Sequence, residues 1–170
     1  MNRAIPPAAG HTLPELLAML AIAAVIATAA VPVFSNLLLE TRMNAAVSTA
    51  MHAVNLARQF SATRSEPIRL CGSDDAHECS GREEWAGNLL LADAAERFRE
   101  SLLLGTGDGA PRIRSNRPEI DFEGGSGFAT PATITICDRR GNRAARAVIV
   151  SRSGRPRSSD KDGSSRALTC

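Results

Sequence analysis

Residues 10–34 read "GHTLPELLAMLAIAAVIATAAVPVF", and the single carboxylate in that stretch is the first thing to account for. From Leu16 to Phe34, nineteen consecutive residues carry no charge, about the length of a bilayer crossing. Glu15 stands at the entrance to this run, where an unpaired charge is costly. A cleaved export signal, with Arg3 as its basic region and a cut after Ala27-Thr28-Ala29, leaves Glu15 unexplained. A plain N-terminal anchor leaves it unexplained as well.

Working outward, the apolar run passes without a break into "SNLLLETRMNAAVSTAMHAVNLARQFSATRSE". Leu39, Met43, Val47 (with Ala46), Ala50, Val54 and Ala57 recur every three or four residues, the period of an amphipathic helix. Thr41, Arg42, Asn44, Ser48, Asn55 and Arg58 take the other faces. The predicted helix runs from Thr12 to Ser65, roughly 80 Å at the standard rise, and Pro67 marks its end. Its first half is apolar and its second half amphipathic.

Beyond Pro67 the period changes. "PIRLC" (67–71), "GNLLLA" (87–92), "EIDFEG" (119–124), "ATITIC" (132–137) and "RAVIVS" (146–151) are short and bounded by Gly, Pro and Asp. We expect four to six antiparallel strands packed on the amphipathic half of the helix. Residues 95–105 are expected as a short helix or turn, and 105–118 as a mobile loop. The fold class is therefore α+β.

Cys71, Cys79, Cys137 and Cys170 all follow the apolar run, and four cysteines allow three connectivities. An export segment with an even cysteine count points to an oxidising compartment and to disulfides. Cys71 and Cys79 end a strand and close a short loop, so a local Cys71–Cys79 pair is the simplest arrangement. That leaves Cys137–Cys170 to pin the C-terminal segment to the sheet.

The chemistry of catalysis is missing from the sequence. No GxSxG, HExxH, Walker loop or GxGxxG follows a strand. "DDAHEC" is a solvated cysteine loop before it is a metal site, and "SSDKDGSS" (158–165) offers only two aspartates, too few for calcium. We expect no enzyme activity, no cofactor and no metal.

The segment "GHTLPELL" resembles the type III signal of type IV pilins and pseudopilins, usually Gly followed by Phe-Thr-Leu-Ile-Glu-Leu. His11 stands for the usual Phe, and Pro14 for an aliphatic residue; proline is tolerated in a helix's first turn. The resemblance implies cutting by a prepilin peptidase between Gly10 and His11, and methylation of the new terminus. It also implies that Glu15 pairs with the ammonium of His11, in a neighbouring subunit or the same one, which offsets its desolvation. Downstream, "EPIRLCGS", "EWAGNLLLAD", "IDFEGGSGFATPATITICDRRG" and "VIVSRSGRPR" resemble successive blocks of the GspH/FimT family, minor pilins and pseudopilins of type IV pili and type II secretion systems. Such a chain divides into a leader (1–10), a transmembrane and assembly half-helix (11–35), an amphipathic half-helix (36–66) and a β-rich head (67–170). The resemblance implies a single-pass inner-membrane protein with a periplasmic head, later carried in a pilus or pseudopilus by helix packing with other pilins.

Arginine outnumbers lysine nineteen to one, and the formal charge is only +2. Seven of those arginines lie between Arg139 and Arg157 with no acidic residue among them. Guanidinium forks match phosphate oxygens, so the block suggests a polyanion. "GRPR" (Gly154–Arg157) looks like the GRxR motif with which FimT-like pilins of natural transformation hold DNA. On that resemblance Gly154, Arg155 and Arg157 bind double-stranded DNA, with Arg152, Arg143 and Arg146 widening the patch. The alternative is a type II secretion pseudopilin with no DNA-binding role.

Overall fold

The computed structural model describes residues 12–85, 87–93, 95, 98–105, 107 and 109–170. Its elements are a helix α1 (Leu13–Arg64) and nine strands: β1 (Ile68–Ser73), β2 (Glu84–Trp85), β3 (Asn88–Asp93), β4 (Arg99–Leu103), β5 (Arg112–Ser115), β6 (Glu119–Phe122), β7 (Ala132–Cys137), β8 (Arg146–Val150) and β9 (Pro156–Ser159). The chain divides into two units whose border falls inside α1, between Leu38 and Leu39.

In the first unit α1 presents Leu16, Leu17, Leu20, Ile22, Val25 and Ile26 as exposed side chains. Among the described residues, α1 is the one helix long and apolar enough to cross a membrane. Its start is capped by its own sequence. The Glu15 carboxylate accepts the backbone N–H of Thr12 at 3.3 Å, and Glu15 N donates to Thr12 O at 3.0 Å. Thr12-x-x-Glu15 has the spacing of a capping box.

In the second unit, Met43, Ala46, Ala50, Ala53, Val54 and Ala57 are buried in one cluster with residues of both sheets. Four alanines on one helix stripe let strands approach closely, since packing distance follows side-chain size. The first sheet has the order β4-β3-β1-β6 and the second β2-β5-β7-β8-β9, every pairing antiparallel. Ile68, Leu70 and Phe122 face the core from the first sheet; Ile134, Ile136, Val148 and Val150 do so from the second. Trp85 is buried against Gly72, where a Cβ would lie 2.5 Å from the indole. Only glycine fits there.

The strand β8 is buried on both faces. Ala147 and Ile149 face a second cluster with Ala145, Cys137 and Leu168, because the C-terminal segment folds back over the sheet. The Cys137–Cys170 disulfide fastens it, and Cys71–Cys79 closes the loop after β1.

Three expectations need correction. The described residues form nine strands, in two sheets, where four to six strands were expected. Residues 99–103, expected in a helix or turn, are the edge strand β4, whose backbone pairs with β3 although its side chains stay mostly exposed. Residues 112–115, expected within a loop, form β5, in which inward Ile113 and Ser115 alternate with outward Arg112 and Arg114.

Candidate functional site

The "SRSGRPR" stretch is the β8–β9 hairpin. Its turn is closed by backbone bonds from Ser151 N to Arg155 O (3.1 Å) and from Gly154 N to Ser151 O (2.9 Å). The Ser151 hydroxyl accepts from Arg155 N at 3.2 Å, so the turn is held from within. Gly154 has φ +70° and is buried, and beyond it β9 begins at Pro156. This strand was not anticipated. Its register sets Pro156 opposite Val150 and Arg157 opposite Ile149. Directly opposed side chains share a face, so Arg157 lies on the outer face of the second sheet, and Arg155 two residues earlier follows that side where the chain is extended.

Arg155 and Arg157 are exposed and have no ion pair with any described residue. Arg152 is exposed and reaches Glu123 only at 4.0 Å, a contact that contributes little. The arginines nearer β7 behave differently. Arg146 opens β8, roughly 16 Å from Ser151 at the usual strand rise, and Arg143 lies in the single 3-10 turn before it. Arg146 meets Glu40 at 3.8 Å. The structure therefore separates them from the hairpin tip rather than widening one patch.

At that far end Arg140 bridges Asp138 (2.7 Å) and Glu40 (2.8 Å). Burial pushes the Asp138 carboxyl up, but bonds from the Arg140 side chain and backbone outweigh it and hold it below the ordinary carboxylate range. These charges tie the β7–β8 loop to α1.

Tertiary structure adds residues that the sequence did not mark. Arg117, exposed, donates from Nε to Pro131 O at 3.1 Å. Pro131 precedes Ala132, which pairs with Val150, so Arg117 belongs to the same end of the sheet as the hairpin tip. Phe128, 47% exposed, is the only exposed aromatic among described residues 39–170. Its neighbour Ala129 donates its N–H to Arg152 O at 2.9 Å. Arg58, assigned by periodicity to a polar face of α1, is instead half-buried beneath the hairpin turn. Its position four residues after Val54, on the buried stripe, was the available signal.

Gly10 and His11 lie outside the described residues. Glu15 is exposed and caps its own helix through Thr12.

The family described as type II transport protein GspH matches residues 46–154. A search of curated proteins finds no significant match. Among solved structures, the chain is similar to the type IV minor pilin FimU of Pseudomonas aeruginosa strain PAO1. It shares 17% identity and a TM-score of 0.54 with it, over 75% of this chain and 93% of that one. A second crystal form of FimU gives 17% identity and a TM-score of 0.51, over 74% and 96%. The likeness to FimU shows the fold: a long helix carrying antiparallel sheets. With the family match spanning well over half of the sequence, the chain belongs to the GspH family of minor pilins and pseudopilins, whose role is structural rather than enzymatic.

Proposed function

We propose that this chain is a minor pilin of a type IV pilus that holds double-stranded DNA at its β8–β9 hairpin and serves DNA uptake in natural transformation. The observation that carries the reading is the pair Arg155 and Arg157, exposed and free of ion pairs on a hairpin tip locked by its own hydrogen bonds. Guanidinium forks carried on a backbone held in place suit phosphate oxygens. Contacts of this kind position a duplex without reading its sequence. In this reading a prepilin peptidase cuts between Gly10 and His11, and the head stands in the periplasm with the first, apolar half of α1 in the inner membrane. Glu15 then leaves Thr12 for the ammonium of a neighbouring subunit during assembly.

The test is fluorescence anisotropy with the full-length chain in nonionic detergent and a duplex of mixed sequence at low salt. Arg155→Ala with Arg157→Ala is expected to weaken binding at least about tenfold, or about 1.4 kcal/mol. Arg112→Ala with Arg114→Ala, a pair on β5, should leave it unchanged. If the parent chain does not bind, or both double variants bind like the parent, the DNA reading fails. The second reading, a secretion-system pseudopilin, is favoured by the description of the matching family as a type II transport protein, and it would then take its place.

A further inference from the structure

Arg58 leaves α1 into a slot made by two glycines from different turns. A Cβ on Gly154 would meet Arg58 Cδ at 3.0 Å and Cγ at 3.3 Å; one on Gly127 would meet Cγ at 3.1 Å. Any other residue at either position would push the arginine stem aside. The Nε of Arg58 is buried and has no hydrogen-bond partner, while Nη1 and Nη2 are not among the buried unpartnered atoms. No described carboxylate pairs with this guanidinium. Its terminal nitrogens, unpartnered and outside the buried set, therefore remain open to solvent beyond the two glycines that flank the stem.

This differs from ordinary snorkelling, in which the stem covers apolar surface and the whole charged head stays in water. Here part of the head is already stripped of water, and a buried polar group without a partner calls for an explanation. A charge in that state is poorly screened and gains more from an incoming anion than a fully hydrated one does. Its stem is also immobilised before any ligand arrives, which lowers the ordering cost of binding.

We propose that Arg58 is a further phosphate ligand of the DNA interface. A backbone phosphodiester rests over the mouth of the Gly127–Gly154 slot, taking N–H bonds from the Arg58 terminal nitrogens while Arg155, the residue after Gly154, holds the same or the adjoining phosphate. On this account the glycine of "GRPR" is there to admit Arg58. The inference rests on the DNA-binding reading of the hairpin and extends it to the helix.

The full-length chain in nonionic detergent, as parent, Arg58→Gln, Arg58→Lys and the Arg155→Ala/Arg157→Ala double variant, is titrated with duplex DNA across a range of NaCl. Arg58→Gln is expected to bind at least about fivefold more weakly, with the log–log salt slope smaller by about 0.9, the loss of one phosphate contact. Arg58→Lys, which keeps the charge but not the fork, should keep the slope and recover part of the affinity. If Arg58→Gln matches the parent in affinity and slope while the double variant is weakened, the inference falls and the hairpin reading stands. Weakened binding with an unchanged slope and a lowered melting temperature marks a purely structural arginine, and overturns the inference as well. A parent chain that binds no DNA overturns both.

Discussion

Gly154 lies so close to Gly127 that a Cβ on it would stand 2.4 Å from the Gly127 carbonyl oxygen. The contact joins the β8–β9 turn to the 123–128 turn over one residue of α1. Gly154 also has φ +70°, which a side chain adopts only with strain. Gly154→Ala is expected to lower stability by roughly 2–4 kcal/mol, strain and overpacking together. Gly125→Ala, with φ +81° but nothing within 4 Å of its Cβ, should show only the strain. Equal melting-temperature shifts for the two would remove the packing argument.

The Cys137–Cys170 bridge spans 33 residues and Cys71–Cys79 spans 8. By chain entropy the first stabilises by roughly 3–4 kcal/mol and the second by roughly 2.5. Replacing Cys137 and Cys170 with serine should cost more, and should also raise exchange at the amides of residues 160–170, whose Leu168 covers Ile149. Non-reducing peptide mapping checks the pairing directly; a Cys71–Cys137 linkage would sink it.

Asp138 has a side chain only 2% exposed, and Arg140 beside it is 25% exposed. Removing the guanidinium leaves a buried carboxylate without its counter-ion. Arg140→Met is expected to destabilise the chain by roughly 2–4 kcal/mol at neutral pH. The sign with pH follows from Asp138, whose carboxyl the fold holds below its ordinary value. That contribution is complete above the unfolded carboxylate pKa and is lost as pH falls through the depressed one. The gap between parent and variant should therefore narrow below about pH 4. A gap independent of pH would mean that Arg140 acts by packing alone.

In the Cys71–Cys79 loop, the Asp75 carboxylate accepts the backbone N–H groups of His77 (2.8 Å) and Glu78 (3.1 Å). Those bonds hold its pKa down to about 2. The loop's order should persist down to about pH 4 and be lost as pH falls toward 2. Carboxyl NMR reads this directly, and a midpoint near the ordinary aspartate value would contradict the loop geometry.

Processing is tested by intact-mass analysis of membrane-extracted protein. Cleavage between Gly10 and His11 leaves residues 11–170, whereas a terminus near Ala29 or Ala30 indicates a signal peptidase. On the proposed assembly reading, Glu15→Ala should permit the cut and impair filament assembly, because the carboxylate would meet a neighbour's ammonium only in the filament.

The helix, the change to strand periodicity near Pro67 and the main buried strands were legible because each carries its own pattern of apolar residues. β4 was not, because it is an edge strand with mostly exposed side chains and so has no alternation to read. β5 was hidden for a related reason: with inward Ile113 and Ser115 alternating with outward arginines, four residues are too few to separate a strand from a polar loop. The capping of α1 by Glu15 was legible from the Thr12-x-x-Glu15 spacing, yet the resemblance to a known signal drew attention to a different partner.

By itself the sequence determined the long apolar-to-amphipathic helix, the family and the arginine-rich 139–157 segment, since these rest on periodicity and on residues adjacent in the chain. Only the tertiary structure decided which arginines share a site. It set Arg146 at the far end of β8, with Arg143 in the turn before it, and brought Arg58 under Gly154 from almost a hundred positions earlier. The physical reason is that a helix residue's exposure depends on which turns arrive over it, and strand register, not sequence spacing, carries those turns into place.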